Sequence, residues 1–251
     1  MEVFAEVESA PPTLTVRQTA ALDAPDAIRP VTDALVTLSV GEEEIPYDPV
    51  ASAPGQYQPR AFRMIEAGDQ IGLEVSWNGR RLTGTSVVPK AIALDSVRIE
   101  PSEAPIAAVF ADELGLSLEE GFIYTVDATL YWHVTGPDTA WVRTRLRPPE
   151  DFPSAVVDFL LETEAVEEEI LFAAAGDVRS WRGVYAVPVE TASDPLPPHE
   201  LEVALLRSGE DYARYARSRN APDRREPEGN VEGGLGIVAG VAIDRQTITV
   251  E

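Results

Sequence analysis

The 251-residue chain sets 43 acidic side chains against 20 basic ones, a formal net charge of −23, and Lys90 is its single lysine. Such a balance leaves no basic face for a phosphate backbone or an anionic lipid surface, which argues against nucleic-acid and headgroup binding. The absence of cysteine excludes a disulfide framework and thiolate metal sites.

Along the chain, the dominant periodicity is that of strands. Residues 34–40, 71–77 and 81–87 alternate apolar with polar and are rich in β-branched side chains. Asn78-Gly79 lies between the last two runs and predicts a type I′ hairpin, whose two central residues both need positive φ. Asp48-Pro49 and Pro54-Gly55 punctuate the stretch before, so that Tyr57 enters the next strand as a core side chain. Short strands between turn signals, without a long helical pattern, predict an antiparallel β-sandwich over residues 1–90.

Residues 89–95 read as a junction, followed by a strand at 96–99. The longer runs at 122–134 and 140–146 flank a turn-like segment at 135–139 and predict a second hairpin. Between Ser154 and Glu169 the spacing of Val156, Val157, Leu160 and Leu161 favours a short helix, placed at 154–163 behind a Ser154 cap. A strand at 201–205 precedes a second helix at 209–219, with acid in its first turn and base towards its end. Two strands, 235–243 and 246–250, close the chain. The expected fold is mainly β: two β-sandwich domains, 1–90 and 91–251, the second carrying the two short helices.

Residues able to do chemistry are sparse. His133 lies inside a long strand and His199 follows Pro197-Pro198, a poor basis for a metal site that draws on convergent imidazoles. No Gly-x-Ser-x-Gly elbow occurs, and paired carboxylates carry no signal in so acidic a chain. Glu42-Glu43-Glu44 and Glu167-Glu168-Glu169 lack the Asp-x-Asp-x-Asp-Gly spacing of a calcium loop and read as solvated patches. Gly233-Gly234-Leu235-Gly236 is followed by a strand and by no Lys-Ser or Lys-Thr, so it reads as a bend and not a phosphate loop. Trp77, Trp132, Trp141 and Trp181 lie in or beside strands, as packing residues do. No catalytic residue, metal ligand or cofactor is expected, and the residues of any binding site stay undefined.

Pro30-Val31-Thr32-Asp33-Ala34-Leu35-Val36-Thr37-Leu38, then Pro54-Gly55-Gln56-Tyr57, resembles the start of an immunoglobulin-like sandwich of the carboxypeptidase regulatory-like type. Together with Glu210-Asp211-Tyr212-Ala213-Arg214-Tyr215 and the run Glu228-Gly229-Asn230-Val231-Glu232-Gly233-Gly234-Leu235-Gly236-Ile237-Val238-Ala239-Gly240, the chain is similar in order to a Bacteroidota lipoprotein family described as domain of unknown function 4249. The resemblance implies an outer-membrane or cell-envelope protein held by a lipidated cysteine, working beside a TonB-dependent receptor as a non-enzymatic binding accessory. It carries over no functional residues. Met1-Glu2-Val3-Phe4 lacks the basic and apolar parts of a signal peptide, so this expectation takes the signal and the lipobox cysteine as removed. A carboxylate-dependent hydrolase working in an interdomain cleft and an adhesin-like module remain the alternatives.

The charge itself carries a physical expectation. Self-repulsion of this size destabilises the compact state in dilute buffer, molar salt screens it with a Debye length of about 3 Å, and short acidic side chains replace the long apolar stems of lysine. The composition reads as that of an extreme halophile. Unfolding followed in urea should shift to higher midpoints between low and molar NaCl or KCl; a flat response would remove the reading.

Overall fold

The structure, a computed structural model, describes residues 1–19, 29–107, 122–133, 140–147, 167–171, 178–219 and 226–251. The helix expected at 154–163 and the turn at 135–139 lie outside them. The described chain is mainly β, with one helix. Its strands are β1 (Glu2–Glu6), β2 (Leu14–Thr15), β3 (Arg17–Gln18), β4 (Arg29–Pro30), β5 (Leu35–Val40), β6 (Glu43–Pro49), β7 (Gln56–Pro59), β8 (Gln70–Trp77) and β9 (Arg80–Val87). There follow β10 (Leu94–Pro101), β11 (Ile106–Ala107), β12 (Phe122–His133), β13 (Ala140–Arg147), β14 (Glu167–Leu171), β15 (Val178–Val189), β16 (His199–Ser208), helix α1 (Glu210–Arg219) and β17 (Ile237–Val250). Two compact units result, one of Met1–Ile92 with Leu206–Ile243, the other of Ala93–Leu205 with Asp244–Glu251. Residues 206–243, expected within a domain spanning 91–251, therefore group with the first 92 residues.

In the first unit, six strands form a sheet of order β2-β7-β6-β5-β8-β9. Because successive side chains point to opposite faces, Val36, Leu38 and Val40 share one face with Ile45, Tyr47, Ile71, Leu73 and Val75, and all of them are buried. The hairpin between β8 and β9 forms as expected, with φ of 48° at Asn78 and 73° at Gly79. Tyr57 is fully buried; its hydroxyl accepts from Ala34 N at 3.0 Å and donates to Val31 O at 2.9 Å, so a core side chain also fixes the approach to β5. The facing layer is not local. β1 runs parallel to β17, Glu2 opposite Ile237 through Glu6 opposite Val241, and adds Val3, Ala5 and Val238 to the same core. Two sheets bury one set of apolar side chains between them, which makes this unit a β-sandwich.

Helix α1 follows the strand directly. Ala213 N donates to Gly209 O at 3.2 Å, which opens the helix after Gly209, while Ser208 donates its hydroxyl to Gly240 O at 2.6 Å. Tyr212, Ala213, Tyr215 and Ala216 form the buried face, and Phe4 of β1 meets the Tyr212 ring edge-on at 5.7 Å. Asn230 ties this layer together. Its side-chain oxygen accepts from Val238 N at 2.8 Å, and its amide donates to Val238 O and Thr85 O, both at 2.9 Å, and to Asp211 at 3.1 Å. The carboxamide thus pairs with Val238 as another strand's peptide would.

In the second unit, β12 is the centre of a sheet. β15 pairs with it from Phe122 opposite Val189 to His133 opposite Val178, which leaves its other edge to β10 and β11. A strand has two edges, and both are taken. The expected hairpin between 122–134 and 140–146 is therefore not formed; β13 pairs with β14 instead, and β16 lies on its other side. Glu167 to Glu169, read from sequence as a solvated patch, belong to β14, where they pair with Thr144, Arg143 and Val142. The two closing strands are likewise one, β17, which runs through Asp244 and Arg245 without a break. Among the described residues no helix is long and apolar enough to cross a membrane.

Replacing Asn230 by Ala should cost about 2–3 kcal/mol in urea unfolding, since the buried Val238 N–H loses its acceptor. The isosteric Asn230→Asp should cost at least as much, because it turns a donor into a carboxylate facing Asp211 and two carbonyl oxygens.

Candidate functional site

In the second unit a row of polar and aromatic side chains lies on one face of β15. Residues directly opposite in an antiparallel pair share a face, with Cβ atoms about 4.5–5.5 Å apart. Arg179 therefore stands beside Trp132, Trp181 beside Leu130, Gly183 beside Ala128 and Tyr185 beside Val126. On β12 these partners are all buried, so the row faces the interior.

At one end, Tyr185 meets His199. The Tyr185 hydroxyl lies 2.7 Å from His199 Nε2, and His199 Nδ1 lies 2.8 Å from Pro197 O. A carbonyl can only accept, so Nδ1 carries the proton and Nε2 accepts from the tyrosine. Burial pushes the imidazole pKa below its ordinary value, with the Pro197 bond opposing, and the same desolvation raises that of the tyrosine. Both groups are neutral at neutral pH and each has its partner. The pair acts as a clasp for the segment before β16, where Tyr124 donates to Asp194 O at 2.8 Å and Asp194 caps Thr191 N at 2.7 Å.

At the other end the bonding is incomplete. Trp132 is 1% exposed, and neither its Nε1 nor the buried Nε of Arg179 has a hydrogen-bond partner among the described residues. Between the two ends, the Trp181 indole lies over Gly183, where a Cβ would come within 2.1 Å of it.

The other residues singled out by sequence lie apart from this row. His133 is exposed at the end of β12, its Nδ1 2.5 Å from Asp95, a residue placed there by a bulge between Leu94 and Ser96. The two histidines thus have separate partners, and among the described residues no three His, Cys, Asp or Glu side chains gather as metal ligands do. Glu43 faces Arg63 at 3.7 Å; the side chains of Glu167 to Glu169 and Trp141 lie outside the description. Trp77 donates to Asp33 at 2.7 Å. The glycine run is a bend: Gly233 has φ of 78°, and a Cβ there would meet Arg81 O at 2.3 Å. Sequence reading missed the pairing of Trp132 with Arg179, for which alternation alone gives no signal, since it depends on which strand lies alongside.

The chain matches no known family model, no curated protein and no solved structure.

Because the folded His199 resists protonation, the unfolded chain binds the extra proton first as pH falls below about 6.5. Stability from this residue is full above that pH and declines towards the lowered folded-state value. Urea midpoints between pH 7.5 and pH 5 should show this loss, and His199→Gln should reduce it. Tyr185→Phe should cost about 1–3 kcal/mol by stranding Nε2 without a donor.

Proposed function

We propose that the chain is a non-enzymatic binding protein of the cell envelope, lipid-anchored at the outer membrane in its mature form and accessory to TonB-dependent uptake. One observation supports the non-enzymatic part: among the described residues, the buried histidine and several carboxylates are engaged in structural bonds. His199 is held on both nitrogens. Asp48, Glu74, Glu100 and Asp127 pair with Arg60, Arg81, Arg98 and Arg182 at 2.5–2.6 Å on solvent-facing surfaces. A general acid or base needs a free lone pair or proton within reach of substrate and a pKa near the working pH, and an imidazole bonded at both nitrogens offers neither.

The setting comes from the resemblance to the lipoprotein family, and β-rich units suit it, each presenting its own surfaces. Partner contact would fall on exposed apolar side chains, of which Leu35 and Phe62, 76% and 72% exposed, are the most open described. The test is expression of the gene with its own leader, followed by fatty-acid labelling, fractionation and affinity purification. The expected outcome is a lipid-labelled, membrane-associated protein that brings down a TonB-dependent receptor, with recovery reduced severalfold by Phe62→Ser together with Leu35→Ser. An unlabelled protein recovered alone, with no uptake defect on deletion, would reject the proposal.

A further inference from the structure

We infer that Trp132 and Arg179 form a buried site for a small monovalent anion, chloride being the natural occupant. This does not rest on the proposed function. The two residues are direct cross-strand partners on the interior face, and Leu94 occupies the position beside Trp132 on the opposite strand, β10. Trp132 Nε1 and Arg179 Nε are both buried donors lacking a hydrogen-bond partner among the described residues. Neither group can accept a hydrogen bond, so whatever satisfies them must be an acceptor.

Three kinds of acceptor can be weighed. A water accepting both N–H groups would point its own two hydrogens onward and need acceptors for them, whereas the register places two donors and a leucine side by side among the described residues. A polyatomic oxyanion brings oxygens that demand further donors. A halide needs no directional partners, takes both N–H groups at once and supplies a counter-charge to a guanidinium whose Nε is withdrawn from water. The same anion is abundant in the molar salt that the composition anticipates, so even weak binding would fill the site. With half-saturation near ~0.1 M, raising chloride from about 0.1 M to about 2 M multiplies the binding factor about tenfold and lifts Tm by about 3–6 °C.

The direct test uses the whole protein, ¹⁵N-labelled, titrated with NaCl against sodium gluconate at constant sodium. One of the four indole N–H resonances, assigned to Trp132 by its loss in Trp132→Phe, should move saturably with chloride and not with gluconate. Arg179→Met should abolish the movement and the chloride-specific rise in Tm while leaving the general salt response. Should either variant fail to fold, bromide-soaked crystals of the unmodified protein decide the matter by anomalous density between the two nitrogens. An indole resonance indifferent to the anion, or density showing either nitrogen bonded to a protein oxygen or a water, would overturn the inference.

Discussion

The first unit depends on a parallel pairing between the two ends of the chain. Glu2 to Glu6 lie along Ile237 to Val241, and without that ribbon the apolar face of the six-stranded sheet would stand open to water. Closing a loop of nearly the whole chain costs entropy that grows only logarithmically with length, yet the contacts repaying it come late in folding. Other features of the unit secure this layer. Gly240 admits β17 so close to β9 that a Cβ would sit 2.4 Å from Val87 O, Ser86 accepts from Gly240 N at 2.9 Å, and Asn230 completes the pairing of Val238.

The preference for arginine over lysine has a structural side. Arg63 donates to Val40 O at 2.8 Å and to Asp69 at 3.1 Å, with Glu43 at 3.7 Å, so one guanidinium ties a strand end to two carboxylates. Arg207 reaches Lys90 O and Ala91 O at 3.4 and 3.2 Å. A planar fork of five donors can span several acceptors in fixed directions, and an ammonium cannot. Exposed pairs such as Arg60 with Asp48 add little stability by themselves. Their effect is to lower local repulsion in a chain whose acid is spread throughout.

Local chemistry was legible where one segment decides the outcome. Asn78-Gly79 fixed a hairpin because positive φ is a property of two residues, and the alternation at 34–40 and 71–77 marked the core face because pleat parity needs no knowledge of the partner. Pairing was not legible. The turn-like residues after 133 suggested that β12 would fold back on β13, and only the long β15, whose Gly183 and Pro188 weaken its strand signal, explains why no edge was left. Likewise nothing in Met1 to Glu6 announces a parallel partner at the far end. The buried polar row was hidden for the same reason: Trp132 reads singly as a packing residue, and it meets Arg179 only through register.

That row shows how one strand can hold two polar groups to different standards. Tyr185 and Arg179 are six residues apart on β15, about 20 Å at strand rise, and the Trp181 indole folded over Gly183 fills the interval with apolar surface. Across such a divider the two ends cannot share partners, so each must be satisfied where it stands. Tyr185 and His199 solve this within the protein, a donor meeting an acceptor and a second nitrogen meeting a carbonyl. Trp132 and Arg179 present donors alone. Two donors cannot satisfy each other in any rotamer or tautomer, so among the described residues no side-chain pairing along the row completes the bonding at this end.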